Sequence, residues 1–140
     1  MKKLLIAGVM LLSACTSLTM QESQTLRSLK TQGITVDTPI GNWEKPANPA
    51  GAGALNLLPG IGNFYLASGN AAQSEHALYG ALNLLLWPLS ILWGVPEAAA
   101  DANRINERDL IYYYTFDDSG RKALAEKGLK FNDKGLVEKR

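Results

Sequence analysis

Few side chains in this sequence could carry chemistry. His76 is the only histidine and Cys15 the only cysteine, so the chain offers no multi-histidine metal site and no Ser-His-Asp or Cys-His arrangement. Carboxylates remain. Asp117 and Asp118 stand beside Ser119, residue types that suit the start of a helix, and capping is the preferred reading over catalysis. Glu75 and His76 are neighbours and could form a pH-sensitive pair, because imidazole titrates near neutrality. Lying between two apolar runs, they are expected at a solvated loop tip. The stretch "GAGALNLLPGIG" is rich in glycine, but it follows no strand and lacks the lysine of a phosphate loop. No catalytic residue, metal ligand or cofactor is therefore expected, and the chain reads as not an enzyme.

The clearest chemistry is at Cys15. Lys2 and Lys3 precede an apolar run, residues 4–12, of signal-peptide rather than membrane-spanning length. Leu12-Ser13-Ala14-Cys15 follows, and it resembles the lipobox of bacterial lipoproteins. That resemblance implies cleavage before Cys15, a covalent lipid on its thiol and membrane lipid as a partner. It also implies, from Thr16 at the next position, an outer-membrane destination facing the periplasm. Acyl chains stabilise membrane attachment by about 0.8 kcal/mol per buried CH₂, so such an anchor would be durable.

The elements that would carry these residues fall into four zones. Residues 1–14 are the expected lipoprotein signal peptide. Residues 15–50 read as a lipidated tether and connector, with a short helix expected over 18–32 ending at Gly33 and a proline- and glycine-rich stretch after it. Residues 51–96 read as an apolar helical hairpin, and residues 97–140 as a small charged α+β module. Without residues 1–14 the chain has 126 residues, 12 basic and 13 acidic. Near-neutral charge gives no argument for nucleic acid, and a consumed Cys15 leaves no disulfide.

The hairpin zone is nearly free of charge. From Pro46 to Pro96 the only formally charged residue is Glu75, which separates arms at about 52–66 and 77–95. The second arm has nineteen uncharged residues, just within the range that crosses a bilayer core. Helix breakers interrupt both arms. Pro59 and Pro88 are expected to bend them, Asn56, Asn63 and Asn83 to bond the released backbone, and Gly60 and Gly62 to allow close helix approach. Three readings stay open: full spanning, partial insertion or interfacial docking, and burial against protein. The linker has no Lys or Arg and the first arm is broken, so docking is preferred to spanning.

"GIGNFYL", then "LLLWPLSILWG", then Asp101-Ala102-Asn103, is similar to the TM2 domain, over about residues 52–106. The resemblance implies a two-helix membrane hairpin and no particular activity. The chain departs from that family at Ala67, where the signature has glycine, and in the late position of Asp101.

Beyond the hairpin, "IYYYTF" reads as a strand from its aromatic content. Phe116-Asp117-Asp118-Ser119-Gly120 and Phe131-Asn132-Asp133-Lys134-Gly135 echo each other, and each is expected to be a strand end entering an Asx turn. Residues 120–140 hold seven basic and three acidic residues, expected first to be a solvated surface and otherwise a contact for anionic headgroups. The expected fold is mainly α: an apolar helical hairpin followed by a small α+β C-terminal segment. The expected function is that of a noncatalytic bacterial envelope lipoprotein, a membrane-anchored structural or interaction component. The alternative is a subunit of an oligomeric envelope assembly such as a pore or secretion part, with partners among other envelope proteins or copies of itself.

Overall fold

The first helix starts at a capping box. The Thr19 hydroxyl accepts from the Glu22 N–H at 3.2 Å, and the Glu22 carboxylate accepts from the Thr19 N–H at 2.7 Å. Helix α1 (Met20–Thr31) follows close to the expected bounds. The computed structural model describes residues 17–68 and 74–140, so the signal peptide and Cys15 lie outside the described residues.

Helix α1 is no loose tether. Its thin apolar face, Leu26 and Leu29, is buried in a core with Ile34, Trp43 and Leu110. Residues 32–48 contain no helix or strand, yet side chains of later helices hold them in place. The Tyr114 hydroxyl accepts from the Ile40 N–H at 2.7 Å and donates to the Ile40 carbonyl at 2.8 Å. The Asn106 amide repeats this on Ala47, accepting from its N–H at 2.9 Å and donating to its carbonyl at 2.8 Å. Between them the Trp43 indole donates to Asp109 at 2.8 Å. A segment without its own hydrogen-bond ladder is thereby satisfied from outside.

The apolar zone folds into more pieces than two arms. The first arm is α2 (Pro49–Leu55) and α3 (Ile61–Ser68), separated by a turn through Pro59-Gly60. The second is α4 (Glu75–Leu85), a turn over 86–90 containing a cis Trp87-Pro88 bond, and the start of α5 (Ile91–Phe116). Helix α2 packs along α5, and α3 packs against both α2 and α4. Helix α6 (Asp118–Glu126) and an antiparallel pair, β1 (Leu129–Phe131) with β2 (Val137–Lys139), complete the chain. The fold is mainly α, with the hairpin followed by a small α+β C-terminal segment.

Two of the expectations fail here. "IYYYTF" is the last part of α5 rather than a strand. Leu110, Ile111 and Tyr114 are all buried, a spacing that shares one helical face but splits across a sheet, so packing overrides the aromatic preference for strands. The echoing pair also diverges. Asn132 does follow a strand, its Oδ1 accepting from the N–H groups of Lys134 and Leu136 at 3.0 Å each. Phe116 ends a helix, and Asp117 caps the next one by accepting from the Ser119 N–H at 2.7 Å. Those bonds, the one from Ser119 foremost, hold the Asp117 carboxyl below its usual range.

Helix α5 is the spine of the molecule, and it buries different sides along its length. Its first half contributes Ala98, Ala102 and Ile105 to a core with Ala52 and Leu66. Its second half contributes Leu110, Ile111 and Tyr114 to the core that holds α1. At about 100° per residue the mean directions of these two sets differ by about 160°. The two cores therefore lie on nearly opposite sides of one helix.

Candidate functional site: an apolar rim on a polar brace

Around the hairpin the usual distribution of side chains is inverted. Buried within it are Asn56, Asn63, His76, Asn83 and Ser90. Exposed on it are leucines and tryptophans, among them Leu58 at 64%, Leu85 at 79%, Trp87 at 60% and Leu92 at 79%. Apart from Met20, Tyr112 and Phe116, every large hydrophobic side chain that is exposed among the described residues lies within residues 55–93. Isolated exposed leucines are ordinary, whereas an apolar patch concentrated at one end of a fold marks a contact surface.

The buried polar groups form a brace between the broken arms. The Asn56 side-chain amide donates to the Gly94 carbonyl at 2.6 Å and its oxygen accepts from the Gly62 N–H at 3.1 Å. Asn83 donates to Asn63 at 2.9 Å, accepts from the Trp93 indole at 3.0 Å, and its carbonyl accepts from the Ser90 hydroxyl at 2.6 Å. The three asparagines thus connect α2, α3, α4 and the first turn of α5. Bonds of this kind contribute about 0.5–1.5 kcal/mol each when made, and a buried group left unsatisfied costs about 1–3 kcal/mol.

The glycines set how close the pieces come. Gly60 has φ +80, and a Cβ there would lie 2.2 Å from the Gly80 carbonyl oxygen. A Cβ on Gly62 would lie 2.1 Å from the Ala52 carbonyl oxygen. Both are backbone contacts that no side-chain movement could relieve. Pro59 stands in the turn before Gly60, and Pro88 forms the cis bond in the turn before α5.

His76 corrects the expectation of a solvated tip. It is fully buried, with its Nδ1 3.7 Å from an Asp101 carboxylate oxygen and its ring 5.8 Å from that of Tyr79. Neither ring nitrogen makes a hydrogen bond. Desolvation lowers its pKa, with Asp101 and Glu75 pulling the other way, so the ring is neutral at pH 7 and its approach to Asp101 is not an ion pair. Burial, and then Asp101, raise the pKa of Glu97. The signal for this cluster was a lone histidine at the edge of a nineteen-residue uncharged run. Asn106 and Tyr114, which clasp the connector, carried no comparable signal.

Among the described residues, no group of three His, Cys, Asp or Glu side chains stands where it could hold a metal ion. Among the same residues, no helix is long and apolar enough to cross a membrane. Comparison of the chain with protein family models, with curated proteins and with solved structures found no match.

Proposed function

We propose that this protein is a noncatalytic, lipid-anchored component of a bacterial envelope, held to a membrane through acylated Cys15 and presenting the apolar rim of its broken hairpin as an interaction surface. The observation that supports this most is the inversion at the hairpin, with asparagine, serine and histidine inside and leucine and tryptophan outside. A fold that places its polar side chains inward and its large apolar ones outward is organised for an apolar environment. The lipobox-like Leu12-Ser13-Ala14-Cys15 supplies the anchor in this reading.

The test is mass spectrometry of the membrane-extracted protein together with fractionation of a Cys15→Ser variant. The expected result is an N-terminal acylated Cys15, and loss of the variant from the membrane that retains the wild type. An unmodified Cys15 in the membrane-extracted protein would overturn the lipid anchor.

A further inference from the structure

Helix α5 carries a row of side chains that neither core uses. Arg104, Arg108, Tyr112 and Phe116 follow one another at intervals of four residues, the spacing that lines side chains up along a helix surface, here over about 18 Å. Arg104 is exposed, and Tyr112 and Phe116 are 62% and 63% exposed with ring centroids 5.1 Å apart. The acidic groups beside the row are engaged elsewhere. Glu22 lies 3.3 Å from the Arg108 guanidinium, Glu107 lies 2.9 Å from Lys30, and Asp109 accepts from the Trp43 indole. Asp101, a turn before the row, is buried beside His76. Among the described residues Arg104 forms no ion pair, so the row offers an unengaged guanidinium followed by two aromatic rings.

The chain enters the fold at this row. Arg108 donates to the Ser17 carbonyl at 3.2 Å, and Thr19 lines a cavity with Ile111, Thr115 and Phe116. Cys15 is two residues before Ser17 and therefore within about 7 Å of it. Met20, just after the Thr19 cap, is 80% exposed. The large hydrophobic side chains exposed outside the hairpin among the described residues, Met20, Tyr112 and Phe116, thus gather where the chain comes in.

We infer that this row is the surface on which the folded body rests against the bilayer holding the Cys15 lipid, with Arg104 at lipid phosphates, Tyr112 and Phe116 at headgroup level, and Arg108 pinning the tether. This rests on the lipid-anchored reading above. A long lipid does not free the body from the membrane surface. Every methylene drawn from hydrocarbon into water costs free energy, so Cys15 stays at headgroup level, and the two-residue tether keeps Ser17 and Arg108 beside it. Aromatic rings are the apolar side chains that favour the interfacial layer, and a guanidinium matches a phosphate in both charge and donor geometry.

Acylation consumes the only native thiol, so a single introduced cysteine places a single fluorophore. The experiment labels Tyr112→Cys, on the row, and Lys127→Cys in full-length acylated protein, reconstituted in phosphatidylethanolamine and phosphatidylglycerol vesicles that carry brominated lipid. Lys127 lines a cavity with Ile40, which Tyr114 holds, and Tyr114 points about 160° away from Tyr112 around α5. Quenching should be several-fold stronger at Tyr112→Cys, and adding Arg104→Glu should lower it toward the Lys127→Cys level. Equal quenching at the two positions, or quenching at Tyr112→Cys that Arg104→Glu leaves unchanged, would overturn the inference. A disulfide-linked dimer of unlabelled Tyr112→Cys, with no quenching of the labelled form, would overturn it in favour of a second copy of the chain. Failure of the underlying reading is seen separately, as a Cys15 thiol in the parent protein that takes up the label.

Discussion

The two ends of α5 reach a buried interior by different means. At the C-terminal end, large side chains do the filling: Leu26, Leu29, Trp43, Leu110, Tyr114 and Leu124 are all buried in one cluster. At the hairpin end the cluster is mostly alanine, with Leu66 and Ile105, and side-chain amides join the pieces. Large apolar groups in the first end are removed from water, whereas in the second they are left facing out. The first end is thus stabilised chiefly by burial at about 25 cal/mol per Å². The second depends on close backbone approach and hydrogen bonds, and it leaves its apolar surface available to something else.

The largest expected effect is at the filled end. Leu110→Ala should cost about 2–5 kcal/mol by denaturant unfolding, because the site is fully buried and packed from several sides. At the braced end Asn56→Ala should cost about 2–4 kcal/mol, since it leaves the Gly94 carbonyl and the Gly62 N–H buried without their partner. The double variant tests the separation of the two cores: on opposite sides of one helix with no shared partner, the two losses should add within about 0.5 kcal/mol. A larger coupling would mean that α5 transmits strain from one core to the other.

The next prediction concerns His76. Its folded pKa is below the unfolded 6.5 because burial disfavours the cation. The unfolded chain therefore binds the proton more readily, and stability present above pH 6.5 falls as pH drops through the folded value. Glu97 works in the opposite sense, with a raised folded pKa that gives stability lost as pH rises above its unfolded 4.5. Comparing the melting temperature of wild type and His76→Gln across pH 4–7.5 isolates the histidine. The wild-type decline on acidification should be reduced in the variant, and identical profiles would remove His76 from the account.

The smallest stability effect is expected on the rim. Leu85→Gln, at a position 79% exposed, should change unfolding free energy by less than about 0.5 kcal/mol. The same change should weaken association in a sedimentation experiment. A large loss of stability would mean that the rim belongs to the fold rather than to a partner.

Much of this architecture was legible in the residues. The α1 bounds follow from a capping box and Gly33, the Asp117 cap from its place before Ser119 and Gly120, and the interrupted arms from Pro59, Gly60 and Pro88. These signals act over a few residues, and local chemistry decides them. "IYYYTF" misled because aromatic side chains have a weak intrinsic preference for strands, and the buried face of α5 outweighs it. Leu26 and Leu29 likewise gave no sign of the core that α1 joins, because two leucines suffice when a core is waiting for them. His76 appeared solvated because its sequence neighbours are polar, while its neighbours in space are Asp101 and Tyr79.

The sequence by itself determined where helices start and break, the mainly α composition, the uncharged zone and the lipobox-like cysteine. Each of these is written in adjacent residues. Only the tertiary structure decided that α5 buries opposite sides in its two halves, that Asn106 and Tyr114 clasp a connector about sixty and seventy-four residues away in sequence, and that His76 is buried beside Asp101 and Tyr79. Those facts depend on which surfaces meet across long stretches of chain, and helical periodicity alone does not specify the partner of a face.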